Sequence, residues 1–241
     1  MDHWRQTQRR LPAGLVGPGG GLDDEPPACH RRQWPFLAGS RAEPVSIHAE
    51  LLRAGRSSSQ VRARLEQDGQ SCVEALFTVS DLSASTVAYW DKGLPTPNTV
   101  AFDDCIRLPS LAPQGLRVNI MDQVDLRLEP DSLGFGFGRP RGLGELRGWL
   151  GLLGGEVFDP ISLVYAADAF PAATFDIEFT GWVPTLELTV YVRALPAPGP
   201  VRVLQKAQLI AGQRFDEACF IWDSSGTLVA HSTQLAGIRL G

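Results

Sequence analysis

Two stretches in the first half of this chain align without a gap on two stretches in the second. Pro44 to Ala54 (P-V-S-I-H-A-E-L-L-R-A) falls on Pro184 to Ala194 (P-T-L-E-L-T-V-Y-V-R-A), and Gly55 to Ala75 falls on Gly212 to Ser232. Gly55 thereby meets Gly212, and Gly69 meets Gly226. Identities are few, but glycine turns and strand periods coincide. A strand-rich unit used twice constrains the architecture more than any single motif, because stacked copies bury a shared core that one copy cannot. The copies are unequal. Between Ala194 and Gly212 the second holds L-P-A-P-G-P-V-R-V-L-Q-K-A-Q-L-I-A, whereas the first runs directly from Ala54 to Gly55. The expectation is a complete second unit and a first unit short of one strand and its turn.

The 241 residues suffice for two units of roughly 120 residues each. A net charge of −5 disfavours a non-specific nucleic-acid binder, which needs a basic stripe to neutralise phosphates. Cys29, Cys72, Cys105 and Cys219 are scattered with no C-x-x-C pair, so they read as reduced thiols rather than a disulfide framework. The N-terminal M-D-H-W-R-Q-T-Q-R-R has no apolar run behind its charges, and no apolar run reaches membrane-spanning length. Cytoplasmic location, with no membrane partner, is the expectation.

Residues 1–43 combine G-P-G-G-G, D-D-E-P-P and R-R with neither helical nor strand period, and read as an irregular leader. Residues 44–82 read as the partial first repeat, with strands at 45–53, 56–66 and 71–80 and a hairpin turn at Asp68-Gly69. Residues 83–118 form a proline-rich connector in which Asp103-Asp104 is solvated loop charge. The second unit, 119–241, opens on Val124, Leu126 and Leu128 alternating with Asp125, Arg127 and Glu129, a half-buried strand. The glycine-rich Gly134 to Gly144 reads as a flexible turn and not a phosphate loop, since no helix start follows it. A strand around Glu145 to Leu153 comes next. Then Asp159 at an N-cap, Pro160 at N1 and the stripe Ile161, Leu163, Val164, Ala167 predict a helix, ended by Pro171. Strands follow at 185–193, 201–211, 213–222 and 227–239. One helix and a long antiparallel meander imply an α+β fold, a sheet curled round a central helix.

Four stretches of the second half carry a family resemblance: R-G-W-L (Arg147 to Leu150), Y-A-A-D (Tyr165 to Asp168), W-V-P-T-L-E-L-T-V (Trp182 to Val190) and G-T-L-V-A-H-S-T-Q-L-A (Gly226 to Ala236). In order and spacing they resemble the acyl-CoA thioesterase II branch of the hot-dog fold, in its two-repeat "double hot-dog" form. The resemblance is weaker over 45–80 and absent over 1–43. It implies two repeats, each an antiparallel sheet round a central helix, with the first repeat incomplete. It also implies that an Asp at the helix end, a Thr or Ser on the next strand and a Gln on the last strand position a water for thioester hydrolysis. Matched by motif these are Asp168, Thr185 and Gln234. The family pattern reads S-T-x-Q, whereas this chain reads Ser232-Thr233-Gln234; a one-residue shift on a strand turns a side chain to the opposite face unless a bulge intervenes.

The chemistry stands on its own terms. Hydrolysis needs a water, a group that deprotonates it and donors for the oxyanion. A carboxylate at the end of an apolar helix is partly desolvated and made more basic. The implied substrate is an acyl-CoA or acyl-carrier-protein thioester, with no cofactor beyond the coenzyme A of the substrate and no metal; His3, His30, His48 and His231 lack ligand spacing. A homodimer follows from the family's habit of pairing hot-dog units. The competing readings are a non-catalytic thioester-binding or scaffold protein and, third, a hot-dog hydratase.

In a complete double hot-dog, 21–36 falls where the first repeat's helix belongs, yet reads G-L-D-D-E-P-P-A-C-H-R-R-Q-W-P-F, and paired prolines break a helix interior. The codons for Leu22 to Trp34, read one nucleotide later, can spell W-M-T-S-L-L-L-A-T-V-D-S-G, an apolar helix. A frameshift across part of 1–43 is therefore one expectation, an authentic reduced repeat with an irregular leader the other.

Overall fold

The computed structural model describes residues 29–239, apart from 38, 83–87, 98, 112–114 and 116. Alternating apolar residues and tight turns build eleven strands. The first four are β1 (Cys29–Pro35), β2 (Ser46–Arg53), β3 (Ser59–Gln67) and β4 (Gln70–Val79). The connector supplies β5 (Ile106–Arg107), and the second half supplies β6 (Val124–Leu128), β7 (Glu145–Leu152), β8 (Thr185–Val192), β9 (Val201–Ala211), β10 (Arg214–Trp222) and β11 (Leu228–Gly237). All lie in one antiparallel sheet of order β2-β3-β4-β1-β8-β11-β10-β9-β7-β6-β5.

That order corrects the alignment drawn from the sequence. Outward from the β1–β8 seam, β1-β4-β3-β2 mirrors β8-β11-β10-β9. The hairpins β3–β4 and β10–β11 correspond as expected. Ser46–Arg53, however, pairs with β3 and so takes the place of β9, not of β8. The place of β8 belongs to β1, which pairs with β4 on one side and with β8 on the other. Thus the strand that looked missing between Ala54 and Gly55 is present. Among the described residues, what the first half lacks is a counterpart of β6, β7 and the helix. Residues 29–35 are strand rather than irregular leader, and they do not occupy the helix's place. A strand in mid-sheet is held by ladders on both sides, so its backbone can pair without apolar alternation in its sequence. The rest of the frameshift expectation, residues 1–28, lies outside the described residues.

The helix α1 (Pro160–Ala166) is seven residues long. Asp159 Oδ1 accepts from the Ile161 and Ser162 amides at 3.0 and 2.6 Å, and Ser162 Oγ accepts from the Asp159 amide at 2.7 Å, a reciprocal capping box. Leu163, Ala166 and Ala167 are buried against Leu188, Val190, Val192, Cys219, Ile221, Val229 and Ala230 of β8, β10 and β11. Ile161, expected in the stripe, is only half-buried. The helix stops at Ala166, ahead of Pro171.

Two further segments differ from the sequence reading. Pro130–Phe137 is a 3-10 helix, so the glycine run opens in ordered structure, and the Arg139 amide donates to Gly134 O at 2.8 Å. The connector packs on the sheet. Trp149 Nε1 donates to Val100 O at 2.9 Å, Phe102 meets the Trp149 ring edge-on at 6.0 Å, and Asp103 is ion-paired with Arg127 at 3.4 Å. No helix among the described residues is long and apolar enough to cross a membrane.

Candidate active site

Asp168 lies just past the C-cap of α1, its amide donating to Tyr165 O at 3.2 Å. Thr185 opens β8, and its hydroxyl donates to Asp168 Oδ1 at 3.4 Å. The start of β8 is tied down because the Gly237 amide donates to Pro184 O at 2.9 Å. Asp168 keeps a path to solvent but is embedded in protein on its other sides. That desolvation pushes its carboxyl up to about 6, against the opposing effect of the Thr185 hydrogen bond.

On β11, Ala230, Ser232 and Gln234 stand opposite Val192, Val190 and Leu188 of β8. Simple alternation therefore turns Gln234 toward the helix side with the buried Ser232; the β11 bulge, between Leu235 and Ala236, lies beyond it. The structure brings Asp168 and Thr185 into contact. Gln234 is held instead by a residue that sequence reasoning missed: its Nε2 donates to Glu217 Oε1 at 2.9 Å. Glu217 is 1% exposed. Its other oxygen accepts from the Ala173 amide at 2.9 Å, and Gln205 also donates to it. Burial, with the nearby Asp168 charge adding to it, pushes the Glu217 carboxyl up to about 7. A signal existed in the sequence. Phe215, Glu217, Cys219 and Ile221 share one parity on β10, and a glutamate in an otherwise apolar file is unusual.

His231 lies on the other face of β11, stacked on Tyr191 at 4.8 Å. Burial and then the Arg193 charge hold its imidazole down to about 4. Among the described residues no three His, Cys, Asp or Glu side chains group as metal ligands would. Cys72, Cys105 and Cys219 are free and buried. A cleft of about 370 Å³ is walled by Trp182, Pro184, Arg214 and Arg239; neither Asp168 nor Thr185 lines it.

Comparison with known proteins fits this fold. The family model of the acyl-CoA thioesterase C-terminal domain matches residues 102–238, and that of the N-terminal domain matches residues 9–80. The second match begins well before residue 44, where the sequence reading saw no resemblance. A crystal structure of a protein designated thioesterase II from Thermobifida fusca YX superposes with a TM-score of 0.78 at 28% identity, covering 88% of this chain and 79% of that one. A hot-dog protein of unknown function from Alicyclobacillus acidocaldarius gives 0.76 at 18% identity, over 91% and 81%, and shows the same fold. An uncharacterised protein of Mycobacterium bovis is 40% identical over 78 residues, which is 32% of this chain and 27% of that relative. The chain thus matches little more than a quarter of the length of such curated relatives. With models of both domains matched in order, and the C-terminal model alone spanning more than half of the residues, this chain belongs to the acyl-CoA thioesterase family.

Proposed function

We propose that the protein hydrolyses acyl-CoA or acyl-carrier-protein thioesters by a water that Asp168 deprotonates. The observation that carries this is a carboxylate at the end of an apolar helix, hydrogen-bonded by Thr185 and made more basic by desolvation. In the reaction, Asp168 takes a proton from water as the oxygen attacks the thioester carbonyl. The tetrahedral oxyanion collapses, expels the thiolate and returns the proton to it from Asp168. Thr185 orients the carboxylate, and Gln234 helps to fix the water; neither adds charge. No metal and no covalent intermediate is required. The cleft that Pro184 lines supports a phosphate-bearing carrier, since Arg214 and Arg239 both line it and guanidinium groups suit phosphates.

The test is free-thiol release from acyl-CoAs of increasing chain length, by wild type and Asp168→Asn, with folding of both checked by circular dichroism. Turnover that collapses in the variant is expected. Absence of turnover in folded wild type would favour the second reading, a thioester-binding protein without turnover. One observation favours that reading: Ile47, Leu51 and Leu52 on β2 and Leu76 on β4 are 43–51% exposed, and no helix covers them among the described residues. The exposed Ile47 and Leu51, which share one face of β2, support a homodimer.

A further inference from the structure

The role of Glu217 is not accounted for by water activation at Asp168. A carboxyl group buried to 1% exposure in a strand file of Phe215, Cys219 and Ile221 is costly unless its oxygens are satisfied. Here they are satisfied by three donors: the Ala173 amide, the Gln205 side chain and the Gln234 side chain. The β9–β10 ladder carries a β-bulge at this point, with Gln208 as the extra residue on β9, while Glu217 keeps the parity of its file. The two amides that donate to it each keep a buried carbonyl oxygen, Gln205 Oε1 and Gln234 Oε1, that has no partner among the described residues. An amide can face a carboxylate only with its NH2 group, because an ionised carboxylate accepts and never donates. The orientation of Gln234 is thus dictated from behind.

We infer that Glu217 is a positioning residue: its carboxylate locks the Gln234 amide so that Oε1 is the free acceptor for the water that Asp168 deprotonates. This rests on the reading of Asp168 as the base. Protonated Glu217 would carry a hydroxyl able to donate to Gln234 Oε1, which turns the amide over and presents NH2 to the water instead. A water that accepts from that NH2 has the lone pair needed for attack on the carbonyl tied up. Activity then requires both carboxyls in their charged form. The titratable groups around Glu217 are Asp168, at the end of α1, and the Cys219 thiol on β10, which stays protonated because burial raises it. The donors facing it from β9, β11 and the 3-10 turn at Ala173 are uncharged amides. The Asp168 charge adds to the rise at Glu217, so the two ionisations are treated as those of a pair.

The experiment is the pH dependence of kcat/KM for the full chain on one acyl-CoA, in wild type, Glu217→Gln, Gln234→Ala and the double variant. In wild type the acid limb of log(kcat/KM) should fall with a slope of two. Glu217→Gln keeps volume and hydrogen bonding but loses the one-way lock, so its slope should be one. Its kcat should drop about tenfold to a hundredfold, as for a displaced reacting group, with KM unchanged. The double variant should be no worse than Gln234→Ala alone, since the lock acts only through that amide. A wild-type slope of one, or additive losses, overturns the inference, and the slope needs no variant to fold. Full activity in Asp168→Asn would instead overturn the underlying reading, whatever Glu217 does.

Discussion

At the scale of single residues, the proposed mechanism rests on what desolvation does to two carboxyl groups. In that mechanism Asp168 must be ionised to take a proton and Glu217 to hold Gln234, so kcat/KM should rise with pH through about 6 and 7, measured as a pH profile. Asp168→Asn should cost about 10² to 10⁴ in kcat, the usual worth of a general base, with substrate affinity retained. Thr185→Val keeps shape and removes the 3.4 Å hydrogen bond; its acid limb should move to higher pH, because that bond favours the charged carboxylate. Stability carries the same sign. Both Asp168 and Glu217 have carboxyls raised above the ordinary range, to about 6 and about 7. The folded state therefore holds protons that the unfolded chain releases. Their contribution to stability is full below pH 4 and lost as pH rises through 6 and 7. Thermal denaturation should give a Tm that falls between pH 5 and 8, and less steeply in Asp168→Asn. Asp168 and Thr185 were legible from the family motif. Glu217 was not, because its importance comes from Gln234 across the ladder and from Ala173, 44 positions away in sequence.

Among the elements, those written in local sequence formed where expected. The N-cap Asp159 and Pro160 start α1, and alternation marks β6 and β8. Asp159→Ala should cost about 1 kcal/mol through loss of the cap, read as a lower denaturation midpoint. Gly148 on β7 shows a constraint no periodicity reveals: a Cβ there would lie 2.0 Å from Arg127 O on β6. Gly148→Ala must push the two strands apart, and should destabilise by about 1–3 kcal/mol or more as an overpacked site, in chemical denaturation. The connector and β1 were misread for one reason. Both are stabilised by what they lie against, Trp149 of β7 for the one and two flanking ladders for the other, and neither needs a period of its own.

The whole molecule is two related half-sheets joined edge to edge at β1 and β8. Among the described residues β2 is an edge strand with every residue exposed, and an uncovered apolar edge invites pairing. Sedimentation equilibrium should find a dimer, and Leu51→Lys with Leu52→Lys should shift it toward monomer. The sequence alone determined that a unit recurs, that its strands and one capped helix have their places, and that a carboxylate ends that helix, because turns, caps and periodicity are local properties of the chain. Only the tertiary structure decided which strand corresponds to which. Register and neighbours follow from pairing across the sheet, so Ser46–Arg53 answers to β9 although its residues align with β8. Pairing likewise decided that Gln234 meets a buried glutamate, since β10 and β11 bring them face to face at a register that neither strand's own sequence specifies.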